Sequence, residues 1–217
     1  MNIEQARFNM IEQQIRPWDV LNLGVLELLA VVKREDFVPP EHRALAFVDT
    51  EVPLPNGQCM LAPKIEARLL QELAVHKHER VLEIGAGSGY MAALLAHKAQ
   101  QVTTLEIDPE LAAFATANLR RAGAANVTVV TADGSGGLAG DGPFDVILLS
   151  GSVAEVPQAL LSQLKVGGRL AAIVGSEPVM RAVLITRTGD QGLERRVLFD
   201  TVAQRLRGFP EPTRFHF

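Results

Sequence analysis

The sequence predicts an α/β protein built on one doubly wound, mostly parallel, seven-stranded sheet. Three observations predict it. From residue 80 onward short apolar runs alternate with helical patterns, the rhythm that sets parallel strands side by side with helices on both faces. Several of these runs end in glycine or an acid, at the strand ends where such sheets keep ligands. The last two runs, 180–187 and 193–200, are separated only by "TGDQG" and read as an antiparallel hairpin.

Before the alternation begins, residues 3–15 have helical spacing, with Ile3, Phe8, Ile11 and Ile15 on one face and Pro17 as the stop. A second helix is expected from a cap at Asp19 through Val32. Residues 34–64 are proline-dense and only briefly periodic, a long loop of the kind that usually serves function. Helical spacing resumes in "PKIEARLLQELAV", 63–75. The units that follow are a strand in "RVLEIGAG", a helix in "GYMAALLAHKA", a strand in "QVTTLEID" and a helix in "PELAAFATANLRRAG", with Pro109 in its first turn. Then come the strand "NVTVVTADG", a glycine-rich loop, the strand "FDVILLSG", the helix "VPQALLSQL" and the strand "GGRLAAIVG". The expected division is an N-terminal helical and loop extension, 1–76, packed on a core of 77–217.

A chain of 217 residues, 47% hydrophobic and 21% charged, can bury a sizeable core and is not disordered. Its net charge of −4 gives no reason to expect nucleic acid or an anionic membrane as partner. Residues 181–217 hold seven arginines against four acids, which we read as a solvated face. The single cysteine, Cys59, excludes an internal disulfide. His42, His76, His78, His97 and His216 lack zinc-site spacing, so no metal is expected. The first residues lack the order of a signal peptide and no apolar run reaches about 18 residues, so the expected location is cytoplasmic.

The loop Gly85-Ala86-Gly87-Ser88-Gly89 follows the first core strand. Glycines let the backbone turn sharply and approach a ligand, and the helix start behind them offers free N–H groups. Glu106, at the end of the second strand beside Ile107, is placed to accept hydrogen bonds from both hydroxyls of a ribose. Asp133-Gly134, at the end of the third, can meet a base edge. A glycine loop alone is a weak signal; acids at successive strand ends strengthen it. The spacing is G-x-G-x-G after a strand-end acid, Glu83, rather than the G-x-G-x-x-G of dinucleotide sites.

That arrangement resembles class I S-adenosylmethionine methyltransferases with a Rossmann-like sheet. The likeness implies that "EIGAGSG" cradles the methionine end of S-adenosylmethionine and that Glu106 binds ribose. "VKREDFVPPEHRALAFVDTEVPL", "GQCMLAPKIEARLLQEL", "VLEIGAGSGYMAALLA", "NVTVVTADGSGGL" and "GPFDVILLSGSVAEVPQALLSQLKVGGRLAAIVG" further resemble the protein-L-isoaspartate O-methyltransferases, over nearly the whole chain. The resemblance implies methylation of isoaspartyl carboxylates in damaged proteins, with a peptide cleft formed by the N-terminal segment, the 50s loop and the C-terminal end. It implies cofactor contacts from Glu83 through Gly89, from Glu106, Ile107, Asp133 and Gly134, and from Ser150 in the loop after the fourth strand. A carboxylate acceptor is already ionised at neutral pH, so no general base is expected.

One departure stands out. The family reads Thr-Ile-Ser where this chain has Cys59-Met60-Leu61, and the resemblance implies that the serine hydroxyl helps orient the incoming carboxylate. Leu61 has no donor. Gln58, Leu61 and Lys64 are the candidate acceptor-side residues, Lys64 either as a positive charge or as a solvent-facing side chain. Ser150 and Ser152 are read as substrate contacts or helix caps, Tyr90 as cofactor neighbour or helix core, Trp18 as a wedge under the N-terminal helices, and Cys59 as a thiol without a base. Two further readings stand beside isoaspartyl transfer. One is a methyltransferase with another acceptor; the other is a non-catalytic module that binds S-adenosylmethionine and peptides.

Overall fold

The computed structural model describes residues 2–138 and 140–211, so His216 lies outside it. Helix α1 spans Ile3–Asn9, capped by Asn2, whose side chain accepts from the Gln5 N–H at 3.2 Å. It runs on into a wider, π-helical stretch over Met10–Ile15 and a tight turn at Arg16–Trp18. Phe8 does not join the inward face expected for it and is 58% exposed, while Arg7, Met10, Ile11 and Ile15 are buried. Arg7 takes the inward place because its guanidinium pairs with Glu35 and Glu4. Asp19 is not a helix cap either. It sits at φ 58° after the tight turn, and Asn22 caps α2 (Leu23–Val31) by accepting from the Val25 N–H.

The proline-dense segment expected as a loop carries more order than that. It holds helical turns at Arg34–Asp36 and Pro40–Phe47, then β1 (Val52–Pro53) paired antiparallel with β2 (Cys59–Met60) around a turn at Pro55–Gly57. Proline at a first helical position needs no N–H partner, which favours such short turns. Helix α3 (Pro63–Leu73) starts at Pro63 as expected.

The core elements are β3 (Arg80–Ile84), α4 (Tyr90–Ala96), β4 (Gln101–Glu106), α5 (Pro109–Arg121), β5 (Val127–Thr131), β6 (Phe144–Val153), α6 (Gln158–Ser162), β7 (Leu164–Ser176), β8 (Val179–Arg187) and β9 (Leu193–Thr201). Seven strands make one sheet in the order β5-β4-β3-β6-β7-β8-β9. The pairings from β5 to β7 are parallel, and β7, β8 and β9 close the sheet as an antiparallel meander. Helix α6 is shorter than the spacing predicts. Gln163 ends it, holding the Leu138 N–H and the Gly136 carbonyl with its side chain, so the chain enters β7 at Leu164.

Alternate strand residues serve opposite faces, as the period of two requires. Val81, Val146, Leu148 and Ala171 join one apolar cluster with residues of α2, α3, α4 and α5, and Met10 and Phe37 belong to it too. Leu82, Ile147, Leu149 and Leu170 join a second, whose helical members are Leu160 and Leu161 of α6. The two faces are therefore unequally covered, and the N-terminal extension lies on the heavily covered one.

Candidate active site

Strand β3 pairs with both β4 and β6, and the chain winds outward from it in opposite directions. This is the switch point of the sheet, where connections leave a crevice beyond the carboxyl ends. The glycine loop opens there. Gly85 and Gly89 have φ of 91° and 83°, and a Cβ on Gly89 would meet the Ala115 carbonyl at 3.2 Å, so glycine lets α4 start close against α5.

Glu106 lies where the sequence placed it, at the rim of this crevice. One carboxylate oxygen accepts from the Gly87 N–H at 2.8 Å and the other from the Asp108 N–H at 3.1 Å. With Gly85, Gly87, Ile107, Gly134 and Ser150 it walls a space of about 50 Å³. Asp133 is not brought into that wall. It is exposed, and its carboxylate accepts from the Ser135 N–H at 2.9 Å.

Behind the glycine loop is a smaller chamber of about 20 Å³, bounded by Leu61, Glu66, Glu83, Ser88, Tyr90 and Ser150, with Ala86 also in its wall. Glu83 is fully buried; one oxygen accepts from the Ser150 hydroxyl at 2.7 Å and the other has no partner among the described residues. Burial pushes its pKa up to about 7, against the opposing hydrogen bond from Ser150. Ser150 thus neither caps a helix nor stands free. Ser152 is buried and donates to the Ala203 carbonyl at 2.8 Å, a structural link rather than a cap. Ser88 is buried too, its hydroxyl oxygen accepting from the Tyr90 N–H at 3.3 Å. Tyr90 is 1% exposed in the helix core, and its hydroxyl, in the chamber wall, has no partner among the described residues.

A groove of about 1430 Å³ runs beside the crevice, lined by Asp49, Glu51, Gln58, Leu61, Lys64 and Arg205 among others. Leu61 belongs to both the groove and the chamber, and Gln58 to both the groove and the crevice. Leu61 is 5% exposed, and its carbonyl accepts from Arg34 at 2.7 Å. Lys64 is neither free nor turned to solvent. Its ammonium meets Asp49 at 2.6 Å and stands 4.4 Å from the centre of the Trp18 ring. Trp18 packs edge-on against Phe199 at 5.5 Å, joining the N-terminal segment to β9. Burial, and then Glu51, push the Cys59 thiol up to about 12, so it is protonated and poorly nucleophilic at neutral pH.

Sequence reasoning missed Arg34, Glu66, Leu206 and Arg207. Arg34 is fully buried and pairs with Glu66, itself 4% exposed. Glu66 was detectable, because it sits with Leu69, Leu70 and Leu73 at helical spacing, an acid on an apolar stripe. Leu206 and Arg207 lie in a non-periodic segment and offered no such signal.

The donor set fits S-adenosylmethionine. Glu83 keeps an acceptor free for an ammonium, and Glu106 offers a carboxylate to a sugar. A family model described as protein-L-isoaspartate(D-aspartate) O-methyltransferase matches residues 6–203. A protein-L-isoaspartate O-methyltransferase of Koribacter versatilis is 41% identical over 194 residues, covering 89% of this chain and 87% of the relative. Another, from Methanoculleus marisnigri, is 40% identical over 186 residues, covering 85% and 84%. The fold is shared with a Plasmodium falciparum candidate of that name crystallised with S-adenosyl-L-homocysteine. There the TM-score is 0.79 and the identity 21%, over 93% of this chain and 98% of that one. This chain belongs to the protein-L-isoaspartate(D-aspartate) O-methyltransferase family.

Proposed function

We propose that the protein is an S-adenosylmethionine-dependent carboxyl O-methyltransferase acting on isoaspartyl residues of damaged proteins and peptides. The observation that carries this reading is the shared wall. Cys59 borders the groove and both cofactor spaces, with Gln58 beside it on the crevice and Leu61 on the chamber, so an acceptor in the groove meets the donor past this short segment. In this reading Glu106 and Ile107 hold the ribose, and Gly134 borders the base. Gly85, Ala86, Gly87, Ser88 and Gly89, with Glu83 and Ser150, shape the methionine end.

S-adenosylmethionine, when bound, supplies a methyl group already activated on a sulfonium. The chain's own residues position and exclude water. An isoaspartyl carboxylate arrives ionised, so none of them has to take a proton from it. The buried Leu61 side chain keeps water from the junction, Gln58 offers an amide, and Lys64 lends a charge it shares with Asp49. Holding reactants in line in this way supplies roughly 7–11 kcal/mol of the barrier. The acceptor groove draws on the extension, 1–76, and on the C-terminal end of the core, 77–217, whose strand ends carry the cofactor crevice. A cytoplasmic location is part of the proposal and is checked by fractionation.

Tritiated methyl transfer to an isoaspartyl peptide, against its normal aspartyl isomer, tests the activity. Transfer selective for the isoaspartyl form and lost in Glu106→Ala is expected; no selectivity, or no loss, overturns it. A second reading, an acceptor with a removable proton, is favoured by the donorless Leu61 and by Glu83, a carboxyl held near neutrality where a base works best. Methylation of an extract component other than isoaspartate would select it. Cofactor uptake with no turnover on any acceptor would select the binding-module reading.

A further inference from the structure

The groove beside the crevice carries an imbalance of charge. Asp49, Glu51, Glu177 and Glu211 line it as acids, and Lys64 and Arg205 as bases. Both bases are already answered by an acid of the same wall. The Lys64 ammonium meets Asp49 at 2.6 Å, and the Arg205 guanidinium meets Glu211 at 3.0 Å. Glu51 and Glu177 are left over. Both are exposed, and neither has an ion-pair partner among the described residues.

The two carboxylates come to the groove from different elements. Glu51 leads into β1 and lies beside the junction with the cofactor spaces. There burial, and then Glu51, push up the pKa of Cys59, which borders the groove and both of those spaces. Glu177 is in the turn between β7 and β8, next to Ser176, whose hydroxyl oxygen accepts from Arg205 at 3.4 Å.

An acceptor that is itself a carboxylate therefore enters a groove of its own sign. Walls of low dielectric focus such a field, and physiological salt screens it only beyond about 8 Å. A sulfonium, when bound, draws the reacting carboxylate at the junction and leaves Glu51 and Glu177 unbalanced. The positive charge that balances them has to arrive on the acceptor chain, from side chains beside the reacting residue. A lysine or arginine there gains an ion pair, whereas an acid there meets repulsion. Attraction to one partner combined with repulsion of another is how specificity is set.

We propose that Glu51 and Glu177 select acceptors in which the reacting carboxylate is flanked by lysine or arginine. The inference rests on the reading of the groove as the acceptor site. It narrows that reading from any isoaspartyl residue to those in basic stretches of a damaged protein.

The test compares two isoaspartyl peptides that differ only in carrying lysine or glutamate on both sides of the isoaspartyl residue. At low ionic strength the lysine peptide is expected to show about a tenfold higher kcat/KM, expressed in KM rather than kcat. In about 0.5 M sodium chloride the two are expected to converge. In Glu51→Gln with Glu177→Gln they are expected to come within about threefold of each other, with melting temperatures as a check on folding. Glu27→Gln with Glu194→Gln removes two exposed acids outside the groove and is expected to leave the preference as it stands, which separates the groove from the net charge of −4. Fluorescence anisotropy of the same peptides, labelled, with S-adenosylhomocysteine present reads the preference without turnover. Equal use and equal binding of the two peptides by the wild type overturns the proposal. So does a preference that survives in Glu51→Gln with Glu177→Gln, or one that is lost in Glu27→Gln with Glu194→Gln. Tighter binding of the lysine peptide with neither peptide methylated would overturn the isoaspartyl reading and leave the preference of the groove standing.

Discussion

In the proposed reading the choice of acceptor turns on Leu61. It is buried where groove and chamber meet, and its backbone is held by Arg34 while its side chain offers no hydrogen bond. A hydrogen bond to a charged group is worth about 1.5–3 kcal/mol, so Leu61→Ser is expected to raise kcat/KM for an isoaspartyl peptide about tenfold to a hundredfold. Steady-state kinetics check this; an unchanged or lower value would show that no hydroxyl is missing there. Glu83 gives a second expectation at this scale. Its folded pKa, about 7, lies above the ordinary 4.5, so the stability tied to its proton is complete below pH 4.5 and is lost as pH rises through 7. Without cofactor, Glu83→Gln is therefore expected to gain on wild type by up to about 3 kcal/mol between pH 5 and pH 8 in urea denaturation. A difference independent of pH would contradict the buried, proton-holding Glu83.

Among the elements, α3 and the turn at Arg34–Asp36 depend on one buried ion pair. Arg34 meets Glu66 of α3 and the Leu61 carbonyl, and lies 5.2 Å from the centre of the Tyr90 ring on α4. Removing one partner leaves a buried charge alone, which costs about 3–5 kcal/mol, whereas apolar replacement of both is often neutral. Arg34→Met is expected to lose stability on that scale and Arg34→Met with Glu66→Met to recover most of it, by denaturant midpoints. If the double variant is as unstable as the single, the pair is not what joins these elements. The same contact places the Cys59-Met60-Leu61 backbone, so the single variant should also turn over more slowly at saturating substrate.

For the molecule as a whole, the sequence disclosed what periodicity and strand-end chemistry control. The seven strands, the glycine loop at the switch point and Glu106 on the rim all follow from alternating apolar runs that end in glycine or an acid. Phe8 and Asp19 were misread because a π-helical stretch and a left-handed turn change the helical phase without changing composition. Leu206 and Arg207, in the crevice wall, went unread for a different reason. They matter through residues about 50 to 150 positions away, at Asn56, Gly85, Asp108 and Gly151, which no local pattern records. The arginine-rich end, read as a solvated face, is largely paired within the chain, Arg181 with Asp200, Arg196 with Glu72, Arg205 with Glu211 and Arg207 with Asp108.

What joins these scales is the proposed grip on a sugar by the carboxylate at the end of β4, which accepts from two backbone N–H groups and has lone pairs to spare. Calorimetric titration of S-adenosylhomocysteine into wild type and Glu106→Ala measures that grip directly. Saturable uptake by the wild type, weakened about tenfold or more in the variant, is expected from the loss of hydrogen bonds to a charged acceptor. No uptake by folded wild-type protein, or equal affinity in the two, would contradict it.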